Sequence, residues 1–210
     1  KTPTMLQQLE HIDRVASLAI NSCHSEFWDK VMIFISKDFG LAPIYVILLV
    51  YIILRTRVTI GKREYFNSWI ISLVTVMACV ATFLITENFG HDVVKPYFHR
   101  LRPGYDSYIW DLVRLPAGKG GLYSFISLHA ANWAGFATIS TLLIRKKFYT
   151  WFIWILTLAV CYSRVYLGRH FLGDIICGIL FGIVAGYIVY WITKAIIYSL
   201  GNRRHIKEIR

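Results

Sequence analysis

The chain has 210 residues, of which 56% are hydrophobic and 17% are Asp, Glu, Lys or Arg, and its mean hydropathy is +0.51. That is too apolar for a soluble domain and too ordered in its charge placement for a disordered chain, so a membrane protein is expected. The net charge of +11 then needs a membrane explanation; the same pattern argues against a basic DNA-binding module or a coiled coil, and no nucleic-acid partner is expected.

In chain order, Leu6, Leu9, Ile12, Val15, Ala16 and Ala19 recur at helical spacing while Gln7, Glu10, Asp13 and Arg14 hold the other side. This predicts an amphipathic helix, lying on the membrane or packed on a bundle. Phe27, Trp28, Val31, Met32, Phe34 and Ile35 form a second apolar stretch, read as interfacial, with a sixth span as the alternative. Five apolar runs follow: Phe39 to Leu54, Ser68 to Thr86, Leu122 to Ile144, Phe148 to Tyr162 and Phe171 to Thr193. A helix needs roughly 17 to 25 such residues to cross the hydrocarbon core, so the first and fourth draw on flanking aromatic and basic residues. The expectation is an all-α integral membrane helical bundle of about five transmembrane helices, one domain over residues 1–210. Residues 1–37 form its interfacial helices, 39–193 the bundle and 194–210 a cytoplasmic tail. Cys79, Cys161 and Cys177 lie inside apolar runs and Cys23 has no near partner, so the cysteines read as small core residues.

Charge placement orients the bundle. The segment Arg55 to Glu64, the turn Arg145-Lys146-Lys147 and the tail from Lys194 together hold 12 Lys or Arg against 2 acids, and the remainder 11 against 10. By the positive-inside rule the first group faces the cytoplasm. Five spans then place the N-terminal helices, a loop from Glu87 to Gly121 and the turn from Ser163 to His170 on the outer side.

That outer side carries cations and imidazoles at helix mouths, where ionisable groups are costly and mark functional sites. Lys95, Arg102 and Arg164 supply three positive charges suited to a phosphate dianion. If a helix opens at Ser127 and Leu128, its N–H groups add an anion site. His170 and Asp174, four residues apart, have the form of an imidazole oriented by a carboxylate, with its other nitrogen available to attack phosphorus. His129 supplies a general acid. With only Asp174 as an accompanying acid, a dicarboxylate magnesium site lacks ligands, and no metal or other cofactor is expected.

These residues resemble a known family. Lys95 to Pro103 fits KxxxxxxRP, the first signature of the type 2 phosphatidic acid phosphatases, and Ser163 to Asp174 fits the third, SRxxxxxHxxxD, at every fixed position. Between them, Ser127 and His129 resemble the second signature, PSGH, with Ile126 in place of Pro and Leu128 in place of Gly. The resemblance implies that Lys95, Arg102, Arg164 and Ser127 bind phosphate with the Leu128 N–H. It makes His129 the acid, His170 the nucleophile of a phosphohistidine, and Asp174 its support. It also implies a bacterial inner-membrane lipid phosphatase with a periplasmic site. Candidate substrates are lipid A phosphates, undecaprenyl diphosphate, phosphatidylglycerol phosphate and phosphatidic acid. A lipid-to-lipid phosphotransferase and an inactive anion-binding scaffold remain as alternatives. The remaining features read as structural: Tyr105, Tyr108 and Trp110 as interfacial aromatics, and Gly178, Gly182 and Gly186 as a helix-packing stripe that extends less certainly to dimerisation. His91, His99, Arg100 and Arg169 lie near the site without an assigned role.

Overall fold

The computed structural model describes residues 4–37, 42–55, 58–60, 63–65 and 69–208. Eight α-helices are found among them: α1 (Met5–Ser22), α2 (Glu26–Ser36), α3 (Ala42–Arg55), α4 (Trp69–Leu84), α5 (Lys95–Phe98), α6 (Leu128–Ile144), α7 (Lys147–Tyr166) and α8 (Leu172–Glu208). A π-helical segment, Ile85–Val94, joins α4 to α5. A small antiparallel hairpin, β1 (Val58–Ile60) with β2 (Arg63–Tyr65), lies in the connection after α3. The residues flanking it at 56–57, 61–62 and 66–68, and the start of the first predicted span at Phe39, lie outside the described residues, as do the basic side chains of that connection and of the tail beyond Ser199.

The N-terminal segment packs on the bundle, one of the two settings expected for it. Thr4 caps α1 by accepting from the Gln7 N–H (3.3 Å) while the Gln7 side chain accepts from Thr4 (2.9 Å), a reciprocal cap that contributes about 1 kcal/mol. The polar face of α1 turns inward: Ser17 and Asn21 are buried, whereas Met5, Leu6, Leu9, Ile12 and Val15 are exposed. Asn21 donates to the carbonyls of Tyr166 (2.6 Å) and Arg114 (2.9 Å) and accepts from the Arg114 N–H (2.8 Å). An apolar face pointing away from the protein is the reverse of a soluble helix and suits a lipid environment. Helix α2 has 11 residues, about 16 Å at 1.5 Å per residue, roughly half of a hydrocarbon core. By itself it is shorter than a hydrocarbon core is thick.

Within the bundle, helix ends and apolar-run ends differ. The run from Ser68 stops at Thr86, but the helix continues through the π segment to Phe98, so Leu73–Phe98 is one helical run of 26 residues. The polar residues after Thr86 end a membrane signal without breaking a helix, and the expected loop from Glu87 begins only after Phe98. In the same way α8 passes Thr193 and stays helical to Glu208, where a tail was expected. The third span, in contrast, starts late. Residues 122–124 run extended beside the first signature, with Arg102 N–H donating to the Leu122 carbonyl (3.0 Å) and Ser124 N–H to the Arg100 carbonyl (2.8 Å). Leu73–Phe98, Lys147–Tyr166 and Leu172–Ser199 are long and apolar enough to cross a membrane.

Helix α6 is the axis of the bundle, buried along most of its length, as a helix apolar on all sides should be. Its small residues meet the glycine stripe of α8. A Cβ on Gly178 would stand 2.6 Å from the Ser127 carbonyl, one on Gly182 would collide with the Ala131 carbonyl, and one on Gly186 would lie 2.8 Å from the Gly135 carbonyl. The stripe is thus consumed inside the chain, packing backbone on backbone as membrane helices do. The extension of that stripe to dimerisation loses its basis. Large apolar residues face outward instead, including Phe148, Trp151, Ile155 and Leu158 on α7 and Leu180, Val184, Ile188 and Trp191 on α8.

Candidate active site

At the end of the bundle where α5, the start of α6, the end of α7 and the turn before α8 meet, a cavity of about 600 Å³ opens. Its lining includes Lys95, Arg102, Leu128, His129, Arg164 and His170 together with the apolar side chains of Ile35, Leu49, Val80, Phe83 and Phe136. Six of the eight residues singled out from the sequence therefore share one space, although 75 positions separate the first from the last. The other two, Ser127 and Asp174, are wholly buried behind it.

Each cation is held by a different element. Lys95 arrives on the first residue of α5, carried by the π segment, a geometry that occurs frequently at functional sites. Arg102 donates through Nε to the Tyr123 carbonyl (3.1 Å). Gly120 comes so close that a Cβ there would collide with the guanidinium groups of Arg102 and Arg169, and its φ of +74° suits glycine alone. Burial, and after it the charge of Arg169, pull Arg102 below the ordinary arginine value, a strain that an anion in the cavity would relieve. Arg164 projects from the last turn of α7 and donates to the Ser36 carbonyl (3.3 Å) and hydroxyl, at the C-terminal end of α2 where carbonyl groups favour a cation.

The imidazole pair departs from the expected helix face. His170 lies two residues before α8 begins, in the tight turn after Gly168, whose φ is +65°. Its Nδ1 faces Asp174 Oδ2 at 3.7 Å, within ion-pair reach but longer than a direct hydrogen bond. Nδ1 is thereby directed at the carboxylate, which leaves Nε2 as the ring nitrogen for chemistry. Burial holds the imidazole down at about 3, against the pull of Asp174 in the other direction, so the ring is neutral at physiological pH with a lone pair in place. Asp174 also accepts from the Phe171 N–H (2.9 Å), closing the first turn of α8. The capping role and the orienting role are held by the same carboxylate.

The second signature is rearranged. Ser127 caps α6, its Oγ accepting from Ala130 N–H at 3.5 Å, and its own N–H donates to the Asp174 carbonyl (3.2 Å). That N–H is not directed at an anion. Leu128 and His129 occupy the first two helical positions, whose N–H groups have no acceptor within the helix. Leu128 has no positive φ, so the strain that leucine in place of glycine would bring is absent. The added bulk is accommodated across the cavity: a Cβ on Gly90 of the π segment would collide with Leu128 Cδ2 and stand 4.0 Å from Ile126 Cδ1. Leucine and isoleucine at the signature positions fit because glycine stands opposite them.

Several residues at the site carry no assigned role in the sequence reading, Lys37, Glu87 and Asn132 of the cavity lining among them. Glu87 lines the cavity, so the site has a second acid beside Asp174. Asn132 donates to it through Nδ2 (2.7 Å) and accepts from the Thr86 hydroxyl (2.6 Å). Arg100 donates to Asp174 Oδ1 (2.8 Å) and to Asp13 Oδ2 of α1 (2.6 Å). Each had a faint signal, a polar side chain on an otherwise apolar helix or at a variable signature position, but nothing in the sequence pairs them. Arg169 donates to the Ala117 carbonyl and His91 pairs with Asp92 at 2.7 Å. Among the described residues, no three His, Cys, Asp or Glu side chains group as a metal-ligand set.

Comparison with known proteins places this geometry. The sequence profile of the PAP2 superfamily matches residues 69–198. The Lipid A 4'-phosphatase of Bacteroides thetaiotaomicron is 33% identical over 191 residues, 90% of this chain and 80% of that protein. The Lipid A 4'-phosphatase of Porphyromonas gingivalis is 40% identical over 120 residues, 57% of this chain, and the match spans about half (51%) of that relative's length. Among solved structures, LpxE of Aquifex aeolicus superposes with a TM-score of 0.62 at 20% identity, covering 83% of this chain and 92% of that one. A transmembrane PAP2-type phosphatidylglycerolphosphate phosphatase from Bacillus subtilis gives the same TM-score and identity over 92% and 88%. At that identity the two structures speak for the fold.

Proposed function

The chain belongs to the PAP2 superfamily, and from that membership we propose that it is a bacterial inner-membrane phosphatase that removes a phosphate monoester from lipid A. The observation that carries the reading is the meeting of Lys95, Arg102, Arg164, His129 and His170 in the lining of a single cavity. The apolar part of the lining fits the lipid part of a substrate, and the two curated relatives named as lipid A 4'-phosphatases favour that substrate over a diphosphate or a glycerolipid. The charge distribution along the chain supports a site on the periplasmic side.

In this reading Lys95, Arg102 and Arg164 bind the phosphate oxygens, assisted by the first turn of α6 at Leu128, while Ser127 fixes that turn. His170 Nε2 attacks phosphorus, and the bond from phosphorus to the sugar oxygen breaks. His129, protonated at the start, donates its proton to the departing oxygen. Asp174 stabilises the charge that develops on the His170 ring. Water then attacks the phosphohistidine, giving a proton to the now neutral His129; the P–N bond breaks and inorganic phosphate leaves. Both transfers pass through the same site, so one set of cations serves twice.

Purified protein in detergent micelles, offered lipid A, undecaprenyl diphosphate, phosphatidylglycerol phosphate and phosphatidic acid in turn, should release inorganic phosphate fastest from lipid A. No release from any of the four would overturn the phosphatase reading, and faster release from another would overturn the substrate.

A further inference from the structure

Helix α1 lies outside the stretch, 69–198, that the superfamily profile matches, yet one of its side chains reaches the support of the proposed nucleophile. We infer that Asp13 and Arg100 are positioning residues that hold the Asp174 carboxylate against His170, so that α1 completes the site. The inference rests on the phosphatase reading and concerns how the site is assembled.

Hydrogen bonds run unbroken from α1 through Arg100 to Asp174, and the His170 ring stands 3.7 Å beyond the carboxylate. Arg100 Nη2 donates to Asp13 Oδ2 (2.6 Å), and Nη1 donates to Asp174 Oδ1 (2.8 Å), while the guanidinium lies 4.3 Å from the centre of the Phe171 ring. The other oxygen of Asp174 accepts from Phe171 N–H (2.9 Å) and faces His170. Each Asp174 oxygen thus has its own partner, and rotation of the carboxylate about its last bond would break both. The other oxygen of Asp13 accepts from Gly173 N–H (2.8 Å), and Ser17, one turn further along α1, accepts from Leu172 N–H (2.9 Å). Two of the first N–H groups of α8 are therefore capped from α1, which fixes the turn that carries His170.

Electrostatics points the same way. Asp174 is wholly buried, and a buried carboxylate without its cation is strongly unfavourable. Burial works against the charge on Arg100, but Asp174 and Asp13 outweigh it and hold the guanidinium above its ordinary value. Simple anchoring of α1 does not account for the arrangement, because other contacts already serve that purpose. Arg14 donates to Asp106 (2.9 Å), and Asn21 binds two backbone carbonyls, all without touching Asp174.

The test compares Arg100→Met, Arg100→Lys and Asp13→Asn with Arg14→Met, which loosens α1 but leaves Asp174 alone. Phosphate release from lipid A micelles gives kcat and KM, and inhibition by added orthophosphate reports the anion site. In Arg100→Met, kcat should fall about 10- to 100-fold, as loss of a supporting hydrogen bond commonly does, with KM and orthophosphate inhibition within about twofold of wild type. Asp13→Asn and Arg100→Lys should fall less, and the double variant Asp13→Asn/Arg100→Met should be no worse than Arg100→Met alone, as members of one network behave. The inference is overturned if Arg14→Met lowers kcat as much as Asp13→Asn or Arg100→Met, or if both of these retain kcat within about twofold. Should the wild type release no phosphate, the phosphatase reading fails separately. Orthovanadate affinity, which needs the His170 nitrogen aimed at the anion, then replaces kcat in the same comparison, with the same outcomes deciding.

Discussion

The seam between α6 and α8 and the rim that carries the proposed site lie within a few turns of each other and are built on opposite principles. The seam is a matter of size: Gly178, Gly182 and Gly186 let α8 touch the backbone of α6 at Ser127, Ala131 and Gly135, with no charge involved. The rim is a matter of pairing. Arg164 is held by α2, Arg100 by α1 and α8, and Glu87 by Asn132 of α6. A seam of this kind fixes two helices once and tolerates nothing larger, whereas a rim of paired charges draws distant segments to one place. The rim depends on the seam, because Ser127, at the head of α6, donates its N–H to the carbonyl of Asp174 at the head of α8.

The largest expected effect separates the two regions cleanly. His170→Ala should lower turnover by on the order of 10⁴-fold or more, as loss of a covalent nucleophile does, while the melting temperature in detergent stays close to wild type. A variant that melts normally and turns over at near-wild-type rate would remove His170 from the chemistry. Next, Gly182→Val at the seam should cost about 3 kcal/mol or more, since its Cβ meets backbone that cannot yield. Thermal melts and the yield of folded protein would register it, and a normal melt would show that the seam is looser than described.

A smaller effect probes the boundary between the regions. Gly90→Ala should destabilise by about 1 to 3 kcal/mol, because the new methyl meets Leu128. Leu128→Ala in the same chain should restore most of the loss, and additivity of the two changes, measured by melts of all four variants, would deny the pairing. The effect that is smallest per unit change is a pH slope. Burial keeps His170 neutral down to about 3, whereas the unfolded ring protonates near 6.5. Between those values the unfolded chain binds the extra proton, so stability should fall as pH drops below 6.5, by at most about 1.4 kcal/mol per pH unit. His170→Asn should flatten that slope in melts recorded from pH 7 to 4. Equal slopes would mean that the ring is solvated in the folded protein.

What the sequence could and could not convey follows the same division. The seam was readable because glycine every fourth residue has one geometric meaning on a helix. The chemistry at the rim was readable as residue types at fixed spacing, so Lys95, Arg102, His129, Arg164 and His170 were all singled out, and they share a cavity. Helix ends are not readable where hydropathy and helix formation diverge, as in the π segment, where the apolar run stops at Thr86 but the helix does not. The polar face of α1 was recognised, but which way it pointed depended on Asn21, Ser17 and Asp13 finding partners more than 90 residues away. Arg100 occupies a variable position of the first signature, and only its two carboxylates distinguish it from the neighbouring Arg102. That Leu128 can stand at the glycine position of the second signature is legible only from Gly90 packed against it.

The most direct test is to find where the phosphoryl group goes. Protein mixed with lipid A labelled in its phosphate, quenched in alkali within one turnover and digested for mass spectrometry, should carry the label on His170. Label on another side chain, or rapid release of phosphate with no labelled protein at any quench time and direct transfer to water, would contradict the proposed site.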